Sequence, residues 1–329
     1  MKVLVTGGAG YVGSHTVLAL INGGHQVIVL DNLQTGHKKA VNPQAVFIEG
    51  DIRDKEVLQA ILRDASIDGV IHFAGDTLAG ESMTEPLNYF NNNVSGLVTL
   101  LETMNECGVK HIVFSSSAAV YGETDVEIIS ELADTNPQNP YGESKVMMER
   151  IMEWSRKAYG INYVALRYFN VAGAEMSGLI GEDHSPETHL IPVILEVASK
   201  KRVAAKIFGN DYETPDGTTV RDFVHVMDIA NAHILAMAYI LTNNVSDIFN
   251  VGSSTGFSVF EIIKSVEQYT HQEIPFEFVA RRAGDSKRLV ASSQKVTALL
   301  QWQPHYTNLK DIIESAWKWH SAKPNGYED

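Results

Sequence analysis

A loop with three evenly spaced glycines, close to the start of the chain, limits the possible folds more than any other feature. The loop follows an apolar, β-branched run at Lys2–Thr6 and contains Gly7, Gly10 and Gly13. Residues 12–22, which come next, have the apolar pattern of a helix. Glycines let the chain turn tightly beside a diphosphate, and a helix start offers free backbone amides to that group. A tight turn without a ligand is the alternative, but the strand, loop and helix together favour a dinucleotide site.

An acidic residue after the second apolar run narrows the choice of dinucleotide. Asp31 follows the run Gln26–Leu30 and lies 18 residues beyond Gly13. A carboxylate at this place can accept a hydrogen bond from the ribose 2′-hydroxyl, and it repels a 2′-phosphate. We therefore predict NAD, rather than NADP, as the cofactor.

The first half of the chain alternates short apolar runs with helix-like stretches. The predicted strands are Lys2–Thr6, Gln26–Leu30, Val46–Glu49, Gly69–Phe73, His111–Ser115 and Asn162–Arg167, and the predicted helices are Val12–Asn22, Val57–Asp64, Pro86–Cys107 and Pro140–Tyr159. Runs that are apolar throughout are typical of parallel strands buried on both faces. The alternation predicts an α/β protein with a Rossmann-type, doubly wound parallel sheet.

The pattern loosens after residue 170, where glycine and proline cluster in two loops, at 173–186 and 208–218. Loops of this kind, carried on a regular sheet, usually supply the substrate side of a site. We predict that residues 1–170 form the cofactor-binding domain and residues 171–329 form a smaller, loop-rich substrate lobe. A segment near 224–251 again has a strand–helix–strand pattern and is expected to return to the first domain.

A tyrosine and a lysine four residues apart stand at the start of the last predicted helix. Tyr141 and Lys145 are expected on one face of that helix, and Ser117 closes the fifth strand. Open α/β sheets bind ligands at that edge. A lysine ammonium and a cationic nicotinamide ring both favour the phenolate form of a nearby tyrosine, and the serine can bind the same substrate oxygen. Y-x-x-x-K alone is common by chance, but beside a dinucleotide loop we interpret the three residues as catalytic.

Further short stretches carry a resemblance that runs nearly from end to end. They are EGDIRD (49–54), HFAG (72–75), GES (80–82), NNNVSG (91–96), FSSSAAVYG (114–122), PYGESK (140–145), LRYFNVAGA (166–174), IFGNDY (207–212), DGTTVRDFVHVMD (216–228) and RRAGD (281–285). Together with TGGAGYVGSH (6–15), they make the chain resemble the extended short-chain dehydrogenase/reductases, and among these the members that act on nucleotide sugars.

The resemblance implies roles for individual residues. Catalytic roles are implied for Ser117, Tyr141 and Lys145, which would also touch the cofactor. The implied NAD contacts, besides the three glycines, are Tyr11, Val12, Asp31, Asn32, Asp51, Ile52, Phe73, Ala74, Gly75, Asn93 and Phe169. The implied nucleotide-sugar contacts, besides Ser117 and Tyr141, are Asn170, His189, Leu190, Phe208, Arg221, Arg282, Asp285 and Leu289. Guanidinium groups suit a diphosphate, although surface pairing of the two arginines with Asp222 and Asp285 is an alternative.

The reaction implied by the resemblance is the inversion of C4 in a UDP-hexose, which interconverts UDP-glucose and UDP-galactose in galactose metabolism. NAD would remain bound through each cycle, with NADH and a 4-keto sugar as transient species. The alternatives are a UDP-glucuronate epimerase or decarboxylase, a nucleotide-sugar 4,6-dehydratase, and a non-enzymatic NAD-binding sensor or scaffold. The two alanines after Ser117 disfavour a dehydratase, which needs an acid and a base there, and the presence of Tyr141 and Lys145 disfavours a sensor.

Several positions depart from the commonest pattern of the family. Thr77 and Thr35 stand where a lysine and an asparagine are frequent, which affects the expected NAD affinity rather than the reaction. His189 replaces an asparagine, and Phe223 replaces a tyrosine. Leu289 stands where a bulky aromatic residue commonly closes the sugar pocket, so UDP-N-acetylhexosamines are further candidate substrates.

The charge balance excludes several kinds of partner. With 26 lysine and arginine residues against 40 aspartate and glutamate residues, the chain has a net charge of −14. It repels phosphate backbones and anionic lipids, so we expect neither a nucleic acid nor a membrane partner.

Cys107 is the only cysteine, so we expect no disulfide and a cytoplasmic location. The histidines lack a familiar ligand spacing, so we expect no metal. The resemblance also implies a homodimer formed through the helices near 86–107 and 140–159.

Overall fold

Seven parallel strands form the large sheet in the computed structural model, which describes residues 1–63, 66–282 and 285–328. The strands of the chain are β1 (Lys2–Thr6), β2 (Gln26–Asp31), β3 (Val46–Glu49), β4 (Gly69–His72), β5 (His111–Ser117), β6 (Asn162–Tyr168), β7 (Asn170–Ala172), β8 (Ala205–Phe208), β9 (Val220–His225), β10 (Asp247–Val251), β11 (Gly256–Ser258), β12 (Phe276–Val279) and β13 (Arg288–Leu289). The large sheet has the order β10-β6-β5-β4-β1-β2-β3, with every neighbouring pair parallel. The predicted fold class, a doubly wound parallel sheet, is confirmed.

Helices cover both faces of the large sheet, and further helices pack with the strands of the second half of the chain. They are α1 (Tyr11–Asn22), α2 (Lys55–Leu62), α3 (Ala79–Ser82), α4 (Pro86–Tyr89), α5 (Gly96–Cys107), α6 (Pro140–Tyr159), α7 (Leu190–Ala198), α8 (Val226–Asn243), α9 (Val259–Thr270), α10 (Gln294–Leu300) and α11 (Leu309–Ala322). The predicted end of the second helix, Asp64, lies outside the described residues. Within the described ranges, no helix is both long and apolar enough to cross a membrane.

Two apolar layers bury the large sheet. On one face, α1 and α8 contribute fully buried side chains such as Val17 and Ile229. On the other face, α2, α5 and α6 contribute Leu58, Leu100 and Met148. Because both faces are covered, the strands themselves are apolar throughout, which is the pattern seen in the sequence.

The helix predicted at Pro86–Cys107 is interrupted by a π-helical turn at Phe90–Ser95. Within this turn Asn93 is fully buried, its Oδ1 accepts a hydrogen bond from the Asp76 amide (2.8 Å), and its Nδ2 donates to the Asp76 carbonyl oxygen (3.1 Å). A π turn inserts an extra residue into a helix and often lies at a functional site. These hydrogen bonds fix the loop that follows β4, an interaction that periodicity alone does not indicate.

The helix that carries Tyr141 and Lys145 begins and ends where the sequence predicts. The Asn139 Oδ1 caps it by accepting a hydrogen bond from the Gly142 amide (2.8 Å), and Pro140 occupies the first helical position. Proline is favoured there because its missing N–H would have no partner in the helix.

The second half of the chain builds a smaller lobe and then returns to the large sheet. Strand β9 pairs with β7, β11 and β13, and β8 pairs with β12. Of the segment expected to return, β9 therefore belongs to the small lobe, whereas β10 pairs with β6 at the edge of the large sheet. The division of the chain into domains at residue 170 remains a prediction.

Candidate active site

A cavity of about 490 Å³ opens at the carboxyl-terminal edge of the large sheet. Residues that end or directly follow five of its strands line the cavity: Gly7, Asp31, Phe73, Ser117 and Phe169. The strand order reverses between β1 and β4, and open α/β sheets bind ligands beside such a reversal. Loops of the smaller lobe line the opposite wall of the cavity.

Of the three glycines in the loop, Gly10 is the one that the backbone fold does not require, and its lack of a side chain keeps the cavity open. Gly7 has a φ of +73°, and a Cβ there would lie 2.5 Å from the Ala74 amide nitrogen. A Cβ on Gly13 would lie 2.1 Å from the Gly7 carbonyl oxygen, so both positions require glycine for the fold. A Cβ on Gly10 would meet only that same oxygen, at 3.4 Å, and would project at the start of α1. The residues present therefore fit a dinucleotide diphosphate, which needs this space and the amides of α1.

Asp31 lies at the end of β2 with its carboxylate held in place by the backbone. Its two oxygens accept hydrogen bonds from the Ala9 and Leu33 amides, both at 2.9 Å. Burial raises the pKa of Asp31, and these two amides partly oppose the shift. The carboxylate keeps free lone pairs for a ribose hydroxyl, because each oxygen can accept more than one hydrogen bond.

Most of the predicted cofactor residues line the cavity. They are Gly7, Gly10, Tyr11, Val12, Gly13, Asp31, Asn32, Ile52, Phe73, Ala74, Gly75, Ser117, Tyr141 and Phe169. Asp51, Asn93 and Lys145 are not among the lining residues. The Asp51 carboxylate accepts hydrogen bonds from the Arg53 guanidinium (2.6 and 2.8 Å), which hold its pKa well below the usual range. Thr35 and Thr77 also line the cavity, and both side chains are exposed.

The proposed catalytic residues converge where β5 ends, at Ser117, and where α6 begins, at Tyr141 and Lys145. The Lys145 Nζ is buried, lies 5.7 Å from the centre of the Tyr141 ring, and donates to the Ser115 carbonyl oxygen (3.0 Å). Burial raises the pKa of Tyr141, and its hydrogen bond with Ser117 lowers it by a smaller amount. The net shift is upward; the expectation that Lys145 together with a cationic cofactor ring favours the phenolate stays a prediction. Burial lowers the pKa of Lys145 to about 8, while the charges of Glu149 and Asp76 oppose that shift.

A buried ion pair lies one turn beyond Lys145 on α6. Glu149 accepts hydrogen bonds from the Arg167 Nε (2.9 Å) and Nη2 (2.6 Å), and the two side chains are 7% and 6% exposed. The Ser116 hydroxyl also donates to Glu149 (2.6 Å), and Arg167 Nη1 donates to the Tyr121 hydroxyl (3.0 Å). The pair joins α6 to β5 and β6 directly below the proposed catalytic residues.

The predicted diphosphate-binding residues lie on the small-lobe side. Arg221 Nη1 donates to the Ser286 carbonyl oxygen (2.8 Å), and Nη2 lies 3.4 Å from an Asp285 carboxylate oxygen. Arg282 stacks on the ring of Phe208, with 3.7 Å between the guanidinium carbon and the ring centre. Asp222 does not pair with either arginine, because the Ser253, Ser254 and Ala291 amides bind its carboxylate. Asn170, His189, Arg221, Asp285 and Leu289 line the cavity, and Leu190, Phe208 and Arg282 do not.

Two of the positions that depart from the family pattern lie in different surroundings. Leu289 lines the cavity and stands opposite Arg221 in the β9–β13 pairing. Phe223 is buried in the apolar core of the small lobe, so its missing hydroxyl does not face the cavity.

Sequence reasoning missed a cluster on the loop before α7. Glu182, His184, Glu187 and His189 bring one ligand-type atom each within 4.8 Å of one another, and of these only His189 was singled out. Burial alone would lower the pKa of His189, but the Glu182 and Glu187 carboxylates outweigh it and raise the pKa to about 10. The signal in the sequence is E-x-H-x-x-E-x-H, which a search for close histidine pairs or Cys/His spacing does not find.

Comparison with known proteins gives matches over the whole chain. The model of the NAD dependent epimerase/dehydratase family matches residues 3–252. The UDP-glucose 4-epimerase of Lacticaseibacillus casei is 54% identical over 329 residues, which are 100% of this chain and 99% of that protein.

Solved structures give the same result. The UDP-glucose 4-epimerase from Brucella ovis, in complex with NAD, superposes with a TM-score of 0.93 at 41% identity, covering 96% of this chain and 97% of that one. The UDP-glucose 4-epimerase from Bifidobacterium longum, in complex with NAD+ and UDP, gives a TM-score of 0.94 at 36% identity, covering 99% and 100%. The similarity therefore also includes residues 253–329, the part of the small lobe that lies beyond the segment matched by the family model.

Proposed function

Because the chain belongs to the NAD dependent epimerase/dehydratase family, we propose that it is an isomerase that interconverts UDP-glucose and UDP-galactose by inverting C4. The observation that carries this assignment is the 54% identity to a UDP-glucose 4-epimerase over the full length of both chains. Identity over the cofactor half alone would support only the family, since the loops of the other half select the substrate.

The cofactor is NAD. The glycine loop and Asp31 would hold its diphosphate and ribose, and when bound it supplies the hydride acceptor and a cationic ring. The cycle has no net oxidation or reduction, so the cofactor needs no exchange with solvent. Relatives solved with NAD support this reading.

The side chains at the end of β5 and the start of α6 bind the sugar 4-hydroxyl and transfer its proton. We assign Tyr141 as the base that takes the proton of the sugar 4-hydroxyl and later returns it, and Ser117 as a hydrogen-bond partner of the same oxygen. Burial alone raises the pKa of Tyr141, so its phenolate depends on nearby positive charge. The Lys145 ammonium is one such charge, and a bound cationic cofactor ring adds another. Arg221, which lines the cavity, would hold the diphosphate while the flat 4-keto sugar turns over.

The 4,6-dehydratase alternative requires an acid and a base beside the proposed catalytic serine. Ala118 and Ala119 line the cavity at those positions and provide neither.

We also propose that α4, α5 and α6 pair in a homodimer, because they carry the exposed apolar side chains Leu87, Val98 and Trp154. Sedimentation analysis would test this proposal. A cytoplasmic location is also proposed, on the single cysteine.

A proton NMR time course tests the function. Purified protein is mixed with UDP-galactose without added NAD, and the anomeric signal of UDP-glucose should grow to a constant ratio. Tyr141→Phe should reduce the rate by at least about 100-fold. Tyr159→Phe, at the exposed end of the same helix, is the matched control and should keep the full rate. Full turnover in Tyr141→Phe, or a 4-keto-6-deoxy product, would refute the assignment.

A further inference from the structure

We propose that four side chains form a tetrahedral binding site for a divalent transition metal ion, with zinc as the preferred ion: Glu182, His184, Glu187 and His189. The bound ion would fix the loop before α7. The four residues lie within one short segment and their ligand-type atoms converge within 4.8 Å. His189 is also an implied nucleotide-sugar contact, but the proposal does not depend on the reaction assigned above, because metal binding is measured without a nucleotide sugar.

Four nitrogen–oxygen distances in the cluster are close to those in such a site, and all the ligand-type atoms lie within 4.8 Å of one another. The His184 Nδ1 lies 3.3 Å from a Glu182 oxygen and 3.7 Å from a Glu187 oxygen. The His189 Nδ1 lies 2.8 Å and 3.3 Å from oxygens of the same two residues. Zinc bonds of 2.0–2.1 Å in a tetrahedron place neighbouring ligand atoms about 3.3 Å apart. The four distances lie on both sides of this value; those to Glu182 share one oxygen, Oε1, whereas those to Glu187 involve Oε2 for His184 and Oε1 for His189.

The orientation of the imidazole rings agrees with a shared ion better than with simple ion pairs. Both Nδ1 atoms are buried, and neither is aligned well enough with a carboxylate oxygen for a good hydrogen bond, although such oxygens lie 2.8–3.7 Å away. In a tetrahedral site each nitrogen lone pair points to the centre of the cluster, roughly 35° away from the neighbouring oxygens. A hydrogen bond would instead need the N–H to point at one oxygen.

The charge and the ligand types indicate the kind of ion. The Glu182 and Glu187 side chains are only 4% and 5% exposed, so two buried carboxylates need compensating positive charge. A divalent ion supplies it with neutral imidazoles. Imidazole ligands favour zinc and related transition metals, whereas magnesium and calcium prefer oxygen ligands alone.

The site would hold one wall of the cavity in place. Glu182, His184 and His189 line the cavity, and the Glu182 carbonyl oxygen accepts a hydrogen bond from the Trp319 Nε1 (2.9 Å). The ion would therefore tie the loop to α11 on one side and to the start of α7 on the other. Four protein ligands leave no open position, which is typical of structural rather than catalytic zinc.

The test uses the full, untagged chain, stripped with a chelator, reloaded with zinc sulfate and desalted. Wild-type protein should retain close to one zinc per chain by mass spectrometry, and zinc should raise its Tm. The double variant Glu182→Gln, His184→Gln should retain about a tenth or less and lose the Tm shift. The matched control is Glu213→Gln, His111→Gln, which removes one residue of each type from the exposed surface pairs with Lys287 and Asn244. It should bind like the wild type.

Cobalt gives a second readout that needs no variant. Cobalt bound to the wild-type protein should show the intense visible bands of a tetrahedral centre. Wild-type protein that stays metal-free after reloading, an octahedral cobalt spectrum, or equal zinc in the double variant would each overturn the proposal. If the wild-type protein stays metal-free, the cluster consists of imidazolium–carboxylate pairs.

Discussion

Replacing Glu149 with glutamine should destabilise the protein and alter its pH profile, because this side chain pairs with Arg167 and faces Lys145 along α6. The substitution keeps the size of the side chain and removes its charge. Removing one partner of a buried ion pair costs about 3–5 kcal/mol, since the other charge remains buried without compensation. Both side chains are at most 7% exposed, so water cannot replace the lost partner.

The expected change in Tm follows from the length of the chain. An unfolding entropy of about 2.1 cal/mol/K per residue corresponds to about 0.7 kcal/mol/K for 329 residues. The substitution should therefore lower Tm by about 4–7 °C, measured by circular dichroism at pH 7. Glu153→Gln is the matched control: it lies one turn further on α6 in a half-buried pair with Arg156, and should cost less than about 1 kcal/mol.

The same variant should shift the pH dependence of turnover. Burial lowers the pKa of Lys145 to about 8, and the negative charge of Glu149 opposes that shift. Without this charge the pKa falls further, so the protonated lysine is lost at lower pH and the alkaline limb of activity moves to lower pH. Equal Tm losses in Glu149→Gln and Glu153→Gln, or an alkaline limb that moves upward, would refute this reasoning.

Three further substitutions test the cavity. Gly10→Ala should fold normally yet co-purify with at least about tenfold less NAD, because its Cβ fills the diphosphate space, while Gly80→Ala, whose Cβ meets nothing within 4 Å, should retain NAD. Arg221→Lys should raise the KM for UDP-galactose about 10- to 100-fold with a smaller change in kcat; an unchanged KM would remove Arg221 from the diphosphate site. Leu289→Tyr should lower kcat/KM for UDP-N-acetylgalactosamine relative to UDP-galactose by about tenfold or more, and equal losses for both sugars would contradict a pocket wall at this position.

Local patterns in the sequence predict the large sheet and its catalytic helix well. Strands β1 and β3 have the predicted bounds, and α6 agrees at both ends because Asn139, Pro140 and Gly160 are strong start and stop signals. The other strand boundaries shift by one or two residues. These features depend on nearby residues alone, so one sequence is enough to find them.

Features that depend on distant partners could not be predicted in this way. The π turn at Phe90–Ser95 exists with Asn93 bonded to the backbone of Asp76, and no periodic pattern shows that contact. The pKa of Tyr141 is dominated by burial, which the motif Y-x-x-x-K does not report. The Glu182–His189 cluster does have a local signal, E-x-H-x-x-E-x-H, but that signal does not show that the four side chains converge. Sequence patterns find the residues, but their surroundings decide the chemistry.

The late return of β10 to the large sheet has a consequence for synthesis of the chain. Strand β6 is paired on one side by β5, but its other side stays open until residues 247–251 have left the ribosome. An unpaired apolar strand edge can add a strand from another chain. Nascent chains released between residues 168 and 247 would therefore be the ones most prone to aggregate. Only β7, β8 and β9 of the small lobe emerge within this interval, and their partners β11, β12 and β13 follow β10, so the larger domain can complete its sheet before the small lobe does.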